Sequence, residues 1–176
     1  MINKMANWIL DAAHSQIQFK VKHLMISTVT GNFSKFEAQA TASDDFSDAQ
    51  ISFSADVNSI NTGIEQRDGH LKSADFFDAE NFPTLTFSST KLNKTNDGFK
   101  MTGDLSIRGT VKSVSLDVEF GGIMVDPWGN TKAGFTIEGK ISRKEFGLSW
   151  NTVTEAGGIV VSDEVKIYGE IELQKA

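Results

Sequence analysis

A chain of 176 residues can bury a hydrophobic core and fits one domain spanning residues 1–176. Its net charge of -6, from 17 basic and 23 acidic side chains, argues against nucleic acid as a partner, since phosphates need a basic face. With no cysteine there is no disulfide, no thiolate nucleophile and no cysteine zinc site.

The opening residues, Met1 to Trp8, lack the apolar stretch and small-residue cleavage site of a secretory signal. No apolar run reaches the length of a membrane helix. The expected location is therefore cytoplasmic, or periplasmic if a signal has been trimmed. The chain has 13 Phe against 1 Tyr, which suits a dry interior, and only 2 Pro, which suits long strands that use every N–H.

Apolar and polar residues alternate along most of the chain, the mark of half-buried strands. The first strand is Gln16–Lys22, with Ile17, Phe19 and Val21 on one face and Lys20 and Lys22 on the other. The second runs from Val29 to Ala42 and changes parity between Phe33 and Phe36, which predicts a bulge. A third takes Ile51, Phe53, Ala55 and Val57, and Leu85 and Phe87 mark a fourth. Four more follow at Phe99–Ile107, Val114–Phe120, Ala133–Ile141 and Val165–Leu173.

Asn96-Asp97-Gly98 and Asp126-Pro127-Trp128-Gly129-Asn130 read as hairpin turns. Nothing alternates strand with helix. The expected fold is therefore all-β: an eight-stranded antiparallel up-and-down barrel, lipocalin-like, with its polar face outside. An outer-membrane barrel would turn its apolar face outward and carry aromatic girdles, which this chain lacks.

Two segments break the alternation. From Ser59 to Pro83 the pattern stops, and residues 64–72 predict a short helix within a lid. The other runs from Arg143 to Ser162. Leu71, Phe76, Phe77, Phe146 and Leu148 lie in these segments and must bury their surface, so they are expected to border a pocket.

On the strands, Phe19, Val21, Phe53, Val57, Phe87, Leu105, Ile107, Val118, Phe120, Phe135 and Ile137 share the dry parity and should face the lumen. Lys20, Lys22, Asp104 and Glu138 should face solvent. Gly103, Gly139 and Gly169 also have inward parity, as do Ala38, Ala40 and Ala42. Such small residues let strands bend or leave a lumen unfilled, and both uses stay open.

In a meander, alternate strand ends share a rim. His23, Arg108 and Arg143 end strands at one rim, and Arg67 and His70 lie in the lid segment above it. The three arginines are the only ones in the chain. They either pair with Asp68, Asp75, Asp78 or Glu145, or form a collar for an anionic head group. There is no nucleophile elbow, phosphate loop or dinucleotide fingerprint. His14, His23 and His70 lack metal-ligand spacing, which leaves zinc a minor reading, so neither metal nor cofactor is expected.

Several motifs together resemble the YceI-like family. They include Trp8-Ile9-Leu10-Asp11-Ala12-Ala13-His14-Ser15, Phe19-Lys20-Val21-Lys22-His23-Leu24 and Gly31-Asn32-Phe33. Ser59-Ile60-Asn61-Thr62-Gly63, Arg67-Asp68-Gly69-His70-Leu71, Asp75-Phe76-Phe77-Asp78 and Phe82-Pro83-Thr84-Leu85-Thr86-Phe87 follow. Gly103-Asp104-Leu105-Ser106-Ile107-Arg108-Gly109 and Arg143-Lys144-Glu145-Phe146-Gly147 complete the set. The resemblance implies a lipocalin-like barrel that binds polyisoprenoid or other long-chain amphiphiles in its lumen. It brings no established reaction. Many members are periplasmic, whereas this chain lacks a signal.

The expected function is non-enzymatic binding of a long-chain lipid or polyisoprenoid, with a homodimer left open. The competing readings are a barrel enzyme with His23 or His70 as acid–base group, and a filled barrel acting through protein contacts.

Overall fold

The computed structural model describes residues 4–151 and 160–176. Eleven strands form one antiparallel sheet: β1 (Ala6–Leu10), β2 (Gln16–His23), β3 (Ser27–Phe33), β4 (Phe36–Ala42), β5 (Gln50–Asp56), β6 (Ile60–Asn61), β7 (Thr84–Lys94), β8 (Gly98–Ile107), β9 (Thr110–Val125), β10 (Thr131–Ser142) and β11 (Val161–Lys175). The circuit β1-β4-β5-β7-β8-β9-β10-β11 closes where β11 pairs back onto β1, Leu10 lying opposite Leu173 and Trp8 opposite Lys175. That closed circuit is an eight-stranded barrel. It leaves no long unpaired edge.

The long β11 serves two neighbours. Its end pairs with β1, while Val165–Glu170 pairs with β2, and β2 in turn pairs with β3. β1 and β2 are thus one stave broken by a 3-10 turn at Ala12–His14, and β3 and β4 are another. The Val29–Ala42 strand is accordingly corrected: rather than bulging, it breaks at Ser34 and Lys35, whose neighbourhood is tied to Ser59 and Asp56. β1 is an addition to the elements expected, and it supplies the closing seam.

The alternation decides which way side chains point. Lys20, Lys22, Asp104 and Glu138 are exposed, while Phe87, Leu105, Ile107 and Val118 are buried. Phe19, Val21, Phe53, Phe135 and Ile137 are only half-buried despite facing inward, because the space in front of them is empty.

The inward glycines do not leave that space. A Cβ on Gly103 would lie 2.4 Å from the Phe87 ring, one on Gly139 would lie 2.3 Å from Leu116, and one on Gly169 would lie 2.9 Å from Ile17. Each glycine is covered by a neighbouring strand's large side chain, which tightens the wall. The lumen comes instead from the barrel's girth.

Candidate functional site

A cavity of about 420 Å³ occupies the barrel, within the range of ligand-binding pockets. Apolar side chains from all around the barrel dominate its lining. The polar lining residues are Gln18, Gln39 and, toward one rim, Lys22, His23, Arg67, His70 and Arg143.

The sequence-derived residues divide clearly. Phe19, Val21, Phe53, Phe87, Leu105, Ile107, Val118, Phe135 and Ile137 line the cavity, as do Leu71, Phe76, Phe77, Phe146 and Leu148 from the irregular segments. Val57 and Phe120 do not. Val57 falls in a 3-10 turn, Val57–Ser59, after β5 ends at Asp56, whose carboxylate caps the turn by accepting the Asn58 amide. That turn removes Val57 from strand parity and buries it in the core instead. Phe120 is screened from the lumen by Phe135, on which it stacks with centroids 5.1 Å apart.

Phe46 closes the end of the barrel opposite the rim. It stands in the β4–β5 connection with φ +59°, among Ser43, Asp45, Ser47 and Asp48. The Ser43 amide and hydroxyl donate to Asp48 at 2.9 and 2.8 Å, and the Ser47 amide and hydroxyl donate to Asp45 at 3.0 and 2.8 Å. These bonds, the Ser47 amide foremost, hold the Asp45 carboxyl below the usual carboxylate range. Inside, the Phe46 ring meets Trp8 at 4.9 Å, Phe120 at 5.3 Å and Phe135 at 4.9 Å.

Sequence reading missed this floor. Its signal is one Phe flanked by Asp and Ser in a short connection, an apolar residue with no strand to bury it.

At the other end, helix α1 (Glu65–Lys72) and the chain as far as Pro83 lie over the rim, and a 3-10 turn, Arg143–Phe146, follows β10. The remainder of the expected Arg143–Ser162 irregular stretch includes residues 152–159, which lie outside the described residues.

His70 holds Nε2 2.8 Å from Asp75 Oδ2, and its ring stands edge-on to Phe76 at 5.1 Å and Trp150 at 4.7 Å. Trp150, not singled out from sequence, also lines the cavity.

Among the described residues, none of the arginines pairs with the carboxylates proposed for them. Arg143 is buried and donates to the carbonyl oxygens of Leu148, Trp150, Val161 and Ser162, so it ties the chain on both sides of the 152–159 segment. Burial pushes its guanidinium below the ordinary value while nearby Asp163 opposes the shift, and arginine stays charged regardless.

Arg108 does not line the cavity. It sits at φ +50° beside Gly109 at φ +73° in the two-residue β8–β9 turn, and Nη1 donates to the carbonyls of Phe76 (2.9 Å) and Gly147 (3.1 Å). A left-handed pair of this kind favours glycine at its second position.

Arg67 differs from both. Nε donates to Thr62 Oγ1 and Nη2 to the Thr62 carbonyl, which leaves Nη1 without a partner among the described residues.

Asp11, His14 and Glu172 bring possible metal-binding atoms together outside the lumen. Lys132 already donates to that Asp11 carboxylate, so a cation is built into the cluster.

A YceI-like domain is matched over residues 8–173. The chain belongs to the YceI-like family. A UPF0312 protein of Staphylococcus aureus (strain USA300) is 36% identical over 170 residues, 96% of this chain and 97% of that protein. The YceI protein of Campylobacter jejuni has the same barrel, with TM-score 0.76, 36% identity and 95% and 96% of the two chains covered. Two more distant structures show the fold alone. BcnA of Burkholderia cenocepacia aligns with TM-score 0.81 at 24% identity, covering 93% of this chain and 98% of that one. A polyisoprenoid binding domain of Saccharophagus degradans aligns with TM-score 0.71 at 16% identity, covering 98% and 100%.

Proposed function

We propose that this YceI-like barrel is a binding protein that holds the chain of a polyisoprenoid or similar long-chain amphiphile in its lumen. The observation that carries this reading is the empty apolar cavity of about 420 Å³, floored by Phe46 and reached from a rim where the polar side chains gather. Burial contributes roughly 0.8 kcal/mol per CH₂, so a five-carbon isoprene unit contributes about 3–4 kcal/mol before chain entropy is lost. Energy of that kind favours greasy chains as a class.

The residues proposed to touch the chain are the sequence-derived ones that line the cavity, joined by Phe46 and Trp150. At the rim, Arg67 has a spare donor for an anionic head group, and His23 and His70 stand beside the same opening. Arg108 and Arg143 are assigned to holding the rim segments in place. The polyisoprenoid-binding name of the Saccharophagus domain agrees with this reading.

Mass spectrometry of organic extracts from the purified protein tests it. A co-purifying long-chain amphiphile is expected. Extracts free of lipid, together with no uptake of added prenyl alcohol, would remove the proposal.

The 2.8 Å His70–Asp75 pair favours one second reading, acid–base chemistry on an apolar substrate. That reading requires turnover that His70→Ala abolishes while lipid binding persists.

A further inference from the structure

The β2–β3 hairpin tip breaks two local rules at once. Leu24 and Met25 adopt φ +52° and +60°, a left-handed pair closed by the Ile26 amide donating to the His23 carbonyl at 3.2 Å. Such turns favour Asn and Gly, because other residues crowd their own Cβ there. The tip is also bare: Met25 is 62% exposed and Ile26 82% exposed. Three consecutive large apolar residues thus occupy a turn that small polar residues would stabilise. Where a sequence departs from local preference without a gain inside the fold, the gain lies in function.

The tip's place in the fold says which function. The Leu24 amide donates to the Val160 carbonyl at 2.8 Å, and both Val160 and His23 line the cavity. The bare residues therefore project from the open rim itself. Charge adds a second argument. Between Asp11 and Glu37 the chain carries Lys20, Lys22 and Lys35 and no carboxylate, although the protein as a whole is at -6. Lys20 and Lys22 flank the tip and are exposed.

An apolar point with cations behind it fits an anionic lipid surface, the apolar side chains entering the interface and the lysines meeting the head groups. A second copy of the chain fits poorly, since three side chains fall far short of the roughly 800 Å² per partner that a stable interface buries.

We infer that Leu24, Met25 and Ile26 dock the open end of the barrel onto an anionic bilayer, so that an amphiphile passes between membrane and lumen without crossing water. The purpose rests on the lumen reading; the docking itself does not.

The test is co-sedimentation of the full chain with vesicles of phosphatidylglycerol and phosphatidylcholine, and with phosphatidylcholine alone. The wild type should sediment with the anionic vesicles and less with the neutral ones. The triple variant L24N/M25G/I26T supplies residues the turn prefers, so it should fold at least as well. It should lose partitioning on the order of tenfold or more.

Trp128, 84% exposed on the β9–β10 turn at the opposite end, provides the control, and Trp128→Ser should change nothing. Farnesol uptake from solution should be equal in wild type and triple variant, which separates docking from lumen binding. A wild type that ignores anionic vesicles, a triple variant that sediments like the wild type, or a variant that changes only the oligomeric state would each overturn the inference.

Discussion

The ring of Phe46 meets that of Phe135 edge to face with centroids 4.9 Å apart, and this contact seals one end of the lumen. A lumen with one sealed end limits how much chain it can hold. The limit resides in one side chain on a connection, not in the barrel wall.

Replacing Phe46 by Ala should therefore do two things. Removing a buried ring from among Trp8, Phe120 and Phe135 should destabilise the protein by roughly 3–5 kcal/mol, read by denaturant unfolding. The variant should also accept longer prenyl alcohols than the wild type, or bind a given long one more tightly. Phe46→Leu should show the same trend at smaller stability cost.

The rim arginines should separate by role. Arg143→Gln leaves several buried carbonyls without their donor, so it should cost about 3–5 kcal/mol and weaken a prenyl alcohol and a prenyl phosphate alike. Arg67→Gln should leave the alcohol's affinity unchanged and weaken only the phosphate, because a fixed cation attracts only the charged ligand. Added salt should narrow that difference. Isothermal titration with both ligands reads all of these outcomes.

Much of this was legible in the sequence. One face of the sheet is dry and the other wet, so parity alone sorts Phe19 from Lys20 and Leu105 from Asp104. Parity fails where the backbone leaves the strand: Val57 enters a 3-10 turn, and the Val29–Ala42 stave breaks at Ser34 and Lys35. β1 was hidden because Trp8, Ile9 and Leu10 are all apolar, so a five-residue strand offers no alternation to read. Phe46 was hidden among turn-forming residues. The partners of Arg108 and Arg143 were illegible for a different reason: they are backbone carbonyls, which every residue has and no sequence pattern marks.

The Asp11–Lys132 pair should give the barrel a measurable acid sensitivity. Lys132, aided by His14 and opposed by burial, holds the Asp11 carboxyl at about 2, below its ordinary 3.8. A depressed carboxylate contributes stability that is fully present above the ordinary value and is lost as pH falls through the folded value. Unfolding free energy should thus drop between about pH 4 and pH 2, with Asp11 accounting for about 1 kcal/mol of the drop. Asp11→Asn should be less stable than wild type at neutral pH, and the gap should close over that window. A gap independent of pH would mean that the ion pair adds nothing to the seam joining β1, β11 and β10.

Gly103 tests the wall in the same way. A methyl there meets the Phe87 ring at 2.4 Å and the Ser88 carbonyl oxygen at 2.5 Å, and the second of these is backbone and cannot rotate away. Gly103→Ala should cost roughly 1–3 kcal/mol in thermal or denaturant unfolding. Gly134, with open space at its Cβ, should accept Ala with little change.

The central claim is that the lumen itself holds the chain, and filling the lumen tests it most directly. Ala38 lines the cavity opposite Phe53, so Ala38→Trp places an indole where the ligand would lie. Equilibrium titration with geranylgeraniol should show one chain bound per wild-type barrel and binding weakened at least about tenfold in the variant, with folding retained by circular dichroism. Equal binding by the two folded proteins would place the ligand outside the barrel and contradict the account.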